Sequence, residues 1–152
     1  MRPQTSRMRW GAFVLLVAVV HFAWELAQSP LFASMQGLPV LSATLLCARA
    51  TLGDVVITAF AFVLAAAAAR SFHWPAKKRL APAAAVFILI GIAVTAGYEI
   101  FAIRTGRWQY SESMPTIFGI GLSPLLQWLL LPPVEIGAFR FLWRRVERAR
   151  KD

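Results

Sequence analysis

Charged residues and cysteine are scarce in this sequence of 152 residues. Charged residues make up 15% and hydrophobic residues 59%, whereas soluble proteins have about 25% and about 45–50%. Cys47 is the single cysteine, which excludes an internal disulfide and a cysteine-rich metal site. The mean hydropathy of +0.61 excludes a disordered chain and disfavours a water-soluble globule. The length suffices for one domain.

Four apolar stretches are long enough to cross a bilayer, which needs about 20 residues per helix. Helices that are apolar on all sides are typical of membrane spans and not of a soluble domain. The sequence therefore predicts an all-α fold, a four-helix transmembrane bundle that forms a single domain over residues 1–152. The region between the first two spans, about residues 30–49, is predicted to be an apolar loop. The predicted spans are residues 10–27, 52–69, 80–103 and 117–139.

The basic residues predict how the bundle is oriented. Thirteen of the 16 Lys and Arg residues precede the first span, join the second to the third, or follow the fourth. Because Lys and Arg favour the cytoplasmic side, both termini are predicted to be cytoplasmic, and the location to be the inner (plasma) membrane. The net charge of +9 then reflects contact with the lipid bilayer, and no nucleic-acid partner is predicted.

In each predicted span, polar residues lie in the half that is on the side of the membrane opposite to the chain termini. On the first span these residues have the spacing of one helix face. Polar groups inside a membrane are costly, so they indicate a functional site. We expect a single polar pocket that opens toward the outer leaflet and is covered by the outer loops. Its candidate residues are His21, Trp24, Glu25, Gln28, Asp54, Thr58, Thr95, Tyr98, Glu99, Ser123, Gln127 and Trp128.

These residue types suit acid–base chemistry on a bound molecule. A histidine and a glutamate one helical turn apart can share a proton and act as general acid and base. The predicted catalytic residues are therefore His21, Glu25, Asp54 and Glu99. The predicted ligand-binding residues are Trp24, Gln28, Thr58, Tyr98, Gln127 and Trp128, of which the tryptophans offer π faces to a cation.

Other interpretations of the polar residues remain open. The three acids Glu25, Asp54 and Glu99 could pair with basic residues of the outer loops and form only a structural network (Arg49, Arg104 and Arg107). A metal site is a weaker alternative, because the Glu-x-x-His spacing of bundle metal sites is absent. No metal and no cofactor is predicted. Glu135, near the inner end, is interpreted as structural, with Arg140 or the inner loop as its partner.

The order of these motifs resembles the emopamil-binding and sigma-2-receptor superfamily of four-helix membrane proteins. The motifs are His21-x-x-x-Glu25, Asp54, Tyr98-Glu99 and the segment from Gln127 to Pro133. Asp54 and Gln127 stand where the family usually has Glu and Asn. The resemblance implies cytoplasmic termini and a pocket for sterols or cationic amphiphiles, and in some members a sterol isomerase that uses a His/Glu/Asp set.

Two functions are therefore predicted, and a small transporter is a third alternative, for which four spans are few and no inverted repeat is visible. The first is binding of an apolar or amphiphilic lipid, with acid–base isomerisation as its chemistry. Arginine exceeds lysine 13 to 3, as is common in bacteria of high genomic GC content, which favours a hopanoid or another isoprenoid over a sterol. The second function is a non-catalytic membrane subunit or assembly factor, acting as a homo-oligomer or with another membrane protein.

Overall fold

The computed structural model describes the backbone of residues 3–148 and the side chains of residues 7–143. It is mostly helical, and its four long helices are long and apolar enough to cross a membrane, as predicted. Arg2, Arg150 and Lys151, which contribute to the predicted orientation, lie outside the described residues, as do the side chains of Arg144, Arg145 and Arg148. The helices are α1 (Pro3–Gln28), α2 (Val40–Ala68), α3 (Ala81–Arg104) and α4 (Leu122–Arg148).

The four helices form a ring in chain order, because each packs on its two neighbours and α4 returns to α1. Trp10 in the first part of α1 contacts Phe139 and Trp143 in the last part of α4, so these parts of the two helices lie at one end of the bundle. We call this the aromatic end, because buried rings fill it. Its rings belong to Trp10, Phe13, Phe62, Trp74, Phe87, Phe139 and Trp143.

The opposite end of the bundle contains a β-hairpin that the sequence did not predict. Strands β1 (Thr116–Ile117) and β2 (Ile120–Gly121) pair antiparallel. Phe118 and Gly119 form the turn, both with positive φ. We call this the hairpin end. As a result, α4 begins at Leu122 and not at residue 117.

Helix α2 begins 12 residues earlier than predicted, at Val40 instead of residue 52. Residues 40–49, predicted as loop, are helical because they are rich in leucine and alanine, and Pro39 precedes them as the N-cap residue. The 29 residues of α2 span about 43 Å. Asp54 therefore lies about 21 Å from the start of the helix, not about 3 Å as the predicted span implied.

Candidate functional site

His21 is the centre of the site and is 1% exposed. Its Nε2 lies 2.8 Å from Oε1 of Glu135 on α4 and 3.3 Å from the hydroxyl of Thr58 on α2. Its Nδ1 lies 2.7 Å from the side-chain nitrogen of Gln127 and 3.5 Å from Oδ2 of Asp54. Two helices, α2 and α4, therefore place polar groups around the imidazole ring that α1 carries.

The amide of Gln127 determines how the protons of this cluster are arranged. Its nitrogen donates to Oδ2 of Asp54 at 2.9 Å and also faces Nδ1 of His21. With this amide orientation Nδ1 accepts, so the proton of a neutral His21 is on Nε2 and is donated to Glu135. A proton on Nδ1 requires the amide to turn its oxygen toward the ring, which breaks the bond to Asp54. The side chain of Gln127 therefore links the protonation of Nδ1 of His21 to that of Nε2.

A second group of contacts continues the cluster toward the hairpin end. The side-chain nitrogen of Gln28 donates to Oε1 of Glu25 at 2.6 Å. Its oxygen accepts from the Trp24 indole at 3.2 Å and from the Ser123 hydroxyl at 2.9 Å. The carboxyl groups of Glu25 and Asp54 are close enough to interact. The contacts are therefore continuous, and we call this set the polar chain (Ser123, Trp24, Gln28, Glu25, Asp54, Gln127, His21, Thr58 and Glu135).

Glu99 and Tyr98 belong to a different cluster. Glu99 is buried, and its carboxylate accepts hydrogen bonds from the Tyr110 hydroxyl and, at 3.3 Å, from the Trp108 indole. The Tyr110 hydroxyl in turn accepts from the backbone nitrogen of Gly121 at 2.8 Å. Tyr98 is exposed, and its hydroxyl accepts from Arg107 at 3.4 Å. No hydrogen bond among residues 7–143 joins Glu99 to the polar chain, but its carboxyl group lies close enough to that of Asp54 to interact electrostatically. The hydrogen bonds of Glu99 anchor the hairpin to α3.

The ring of Trp128 packs beside His21, with 5.7 Å between the two ring centroids. The six-membered ring of Trp128 also lies against Gly91 of α3, where a side chain would overlap the indole. Within the described part of the chain, three buried polar atoms in this region have no hydrogen-bond partner. They are Nε1 of Trp128, Oγ1 of Thr95 and Oε2 of Glu135.

Glu135 is the site residue that the sequence interpretation missed. It does not pair with Arg140, which donates to the carbonyls of Pro75 at 2.6 Å and of Lys77 at 3.2 Å. Instead Glu135 is 1% exposed and bonds to His21. A signal was present, because Glu135 follows Trp128 by seven residues and so lies on the same face of α4.

The basic residues expected to neutralise the acids do not do so. Arg49, Arg104 and Arg107 are exposed, and across the described side chains none of them forms a salt bridge. Both salt bridges found there involve His21, with Asp54 and with Glu135. In the same part of the chain, no group of three or more His, Cys, Asp or Glu residues has an arrangement that could hold a metal ion.

An apolar groove of about 350 Å³ lies between α1 and α2 on the side of the bundle, toward the aromatic end. It does not open at the hairpin end, where the sequence predicted an opening. Its floor is formed by the buried side chains of Phe13, Val17, Phe62 and Thr58. Its remaining lining residues are more exposed and form the rim (Trp10, Val14, Val55, Ala59, Val63 and Phe72).

Comparison with known proteins gives no match for this chain. No family model, no curated protein and no solved structure is similar to it. The resemblance to the emopamil-binding and sigma-2-receptor superfamily therefore stays a prediction. The function has to be inferred from the polar chain and the groove.

Proposed function

We propose that this chain is an inner-membrane protein that binds an apolar or amphiphilic lipid or isoprenoid at the polar chain and isomerises it by acid–base catalysis. The observation that carries the proposal is the environment of His21. This imidazole is fully buried, and two carboxyl groups from two other helices, Asp54 and Glu135, flank it on opposite nitrogens. Ionisable groups inside a membrane bundle are rare and mark proton relays and ligand sites.

The chemistry needs a proton donor and a proton acceptor and no oxidant. In the proposed reaction His21, protonated on both nitrogens, donates a proton to one carbon of a double bond. Glu135 or Glu25 accepts a proton from a neighbouring carbon, so the double bond moves and the atoms balance. The π face of Trp128 and the charge of Asp54 stabilise the cation between the two steps. Oε2 of Glu135, which has no protein partner, is free to accept the proton.

The proposed orientation places the aromatic end in the cytoplasmic half of the membrane. The basic residues Arg70, Lys77, Lys78 and Arg79 lie between α2 and α3 at that end. Arg49, Arg104 and Arg107 lie toward the hairpin end. This asymmetry supports cytoplasmic termini, because cytoplasmic loops carry the excess of Lys and Arg.

The test is to purify the protein in mild detergent and to identify retained small molecules by mass spectrometry. The variants are His21→Gln and, as a matched surface control, Glu112→Gln, which lies on an exposed loop. We expect a discrete lipid or isoprenoid to be retained by the wild type and the control and to be lost by folded His21→Gln. Only bulk phospholipid in all three samples would overturn the proposal.

The alternative function is a non-catalytic membrane subunit or assembly factor. Two observations favour it. Phe118 is fully exposed at the tip of the hairpin. The exposed apolar face of α2, which includes Leu45 and Leu52, contains the exposed charge of Arg49. A protein that co-purifies at a fixed ratio with the wild type but not with Phe118→Ser would support this function, and its equal recovery with both would contradict it.

A further inference from the structure

Arg9 is a buried charge at the aromatic end of the bundle. It is 7% exposed, although Arg7, two residues before it in α1, is exposed. Arg9 precedes Phe13 and Val17 at intervals of four residues, so it shares the buried face of α1 with them. No other lysine or arginine with a described side chain is buried. The side chain of Arg9 therefore turns toward the other helices, whereas the other basic side chains reach the surface.

The positive charge of Arg9 has no partner in the described part of the chain. Its Nη2 is buried and makes no hydrogen bond, and neither salt bridge found there includes it. Of the acids with described side chains, Glu135 lies nearest to the aromatic end. Glu135 bonds to His21, which is about 18 Å further along α1 than Arg9. A buried charge that nothing compensates is strongly destabilising, so this guanidinium needs an anion from outside the described chain.

The surroundings of Arg9 are also positive. Two of the basic side chains at the aromatic end bond to backbone carbonyls, Lys77 to Ala69 and Arg140 to Pro75 and Lys77. Among the described side chains, no acid lies between these basic groups. A region of one charge sign raises the local concentration of ions of the opposite sign. The other described basic residues at this end are Arg7, Arg70, Lys77, Lys78, Arg79 and Arg140.

We propose that Arg9 binds a phosphate group at the aromatic end, supplied by the headgroup of an anionic phospholipid or by free phosphate. The planar N–H groups of a guanidinium match phosphate oxygens and can bind two of them at once. Arg9 directly precedes Trp10, and tryptophan is enriched at the level of the lipid headgroups. Basic pockets between membrane helices are typical sites for anionic headgroups. The phosphate supplies the acceptor that Nη2 lacks, and the long flexible stem of Arg9 lets the guanidinium turn toward the surface to meet it.

This site differs from the general attraction between exposed basic residues and a membrane, because it has one buried residue at its centre. It is also independent of the proposed function, since Arg9 is not part of the polar chain. The decisive variant is therefore Arg9→Gln. The matched control is Arg79→Gln, which removes the same charge from an exposed position at the same end. Arg9→Lys keeps the charge and removes the planar group.

The test measures lipid binding and thermal unfolding of the purified protein in the neutral detergent dodecyl maltoside. The added ligands are dioleoylphosphatidylglycerol, which is anionic, dioleoylphosphatidylcholine, which has the same chains and no net charge, and inorganic phosphate. Native mass spectrometry measures how much lipid stays bound. A ligand that binds only the folded protein raises its unfolding temperature, so the two readouts check each other.

We expect the wild type and Arg79→Gln to bind phosphatidylglycerol in preference to phosphatidylcholine and to be stabilised by it. Arg9→Gln should bind phosphatidylglycerol about tenfold more weakly, equivalent to 1.4 kcal/mol of binding free energy, and Arg9→Lys should lie between. If inorganic phosphate stabilises the wild type and displaces the lipid, the natural source is free phosphate. If it does neither, the source is the lipid headgroup.

Equal binding of phosphatidylglycerol by Arg9→Gln and Arg79→Gln would overturn the proposal. A wild type that does not prefer the anionic lipid and is not stabilised by phosphate would also overturn it. In lipid-free detergent, Arg9→Gln should unfold at or above the wild-type temperature, because it removes an unpaired buried charge.

The competing explanation is a partner within the chain. Glu147 follows Trp143 by about one helical turn, and its side chain lies outside the described residues. If Arg9→Gln and Glu147→Gln lower the unfolding temperature equally in lipid-free detergent, and the double variant loses no more than either, Arg9 pairs with Glu147 and the proposal is wrong.

Discussion

Replacement of Gly91 by alanine should destabilise the bundle, although alanine is the better helix former. A Cβ at this position would overlap three atoms of the Trp128 ring, the farthest of them at 2.6 Å. The ring is buried and flat and cannot bend away as a flexible side chain would. Close approach of helices at small residues is a common packing device in membranes. At this position the packing against Trp128 therefore opposes the higher helix propensity of alanine.

The expected magnitude follows from two opposing contributions. Alanine in place of glycine within a helix stabilises by about 0.5–1 kcal/mol. Overpacking of a filled core costs about 1–3 kcal/mol, and the deep overlap with Trp128 places Gly91→Ala near the upper limit. The net expectation is a loss of about 2 kcal/mol in the free energy of unfolding.

The assay is SDS-induced unfolding in mixed micelles, with Gly97→Ala as the matched control on the same helix. A Cβ on Gly97 meets no atom within 4 Å, so this variant should be neutral or slightly stabilised. The double variant Gly91→Ala/Trp128→Leu should lose less free energy of unfolding than the two single variants lose together, because the two sites are in contact. Equal stability of Gly91→Ala and Gly97→Ala would refute the reasoning.

Three further perturbations examine other parts of the structure. Glu135→Gln removes the negative charge that accepts from His21 and should cost about 1.5–3 kcal/mol of unfolding free energy by the same SDS assay. Burial and the bond to Glu99 raise the pKa of Tyr110 above its usual value, so the contribution of Tyr110 to folding stability should be constant up to about pH 10 and fall above it. This loss occurs because the unfolded tyrosine ionises first, and Tyr110→Phe should remove that part of the pH dependence. Phe118→Gly should be more stable than Phe118→Ala by about 1 kcal/mol, because φ is +53° at this position.

Each of these predictions has a result that contradicts it. Glu135→Gln with wild-type stability would mean that its contact with His21 contributes nothing. If the wild type and Tyr110→Phe lose folding stability in the same way at alkaline pH, other groups cause that loss. Equal stability of the glycine and alanine variants at residue 118 would show that the turn is not strained.

The number and approximate position of the long apolar helices could be predicted, because long apolar runs are visible in the sequence. The start of α2 could not, because Arg49 resembles a loop charge that ends a span. In the structure the Arg49 side chain is exposed, so the helix passes through this position without burying the charge. Hydropathy averaged over a stretch of sequence does not distinguish an arginine on an exposed helix face from an arginine in a loop.

The site could be predicted within each helix but not between helices. Helical spacing correctly placed His21 and Glu25 on one face, and Asp54 beside Thr58. Which residues of α4 reach His21 depends on the rotation and register of that helix, which packing contacts such as Gly91 against Trp128 determine. Glu135 was missed for a local reason. It lies near the inner end of the predicted fourth span, close to the basic residues that were expected to pair with it, so it was interpreted as structural.

The polar chain stops partway through the bundle and does not continue to the aromatic end. From Glu135 toward the aromatic end, the same face of α4 presents Phe139 and Trp143, both buried and stacked with 3.9 Å between ring centroids. Trp10 and Phe13 of α1 pack edge-on against Phe139 and close the other side. A proton at Glu135 therefore meets apolar rings in one direction and the polar chain in the other. This geometry does not suit transport across the bundle, which would require polar groups where Phe139 and Trp143 stand.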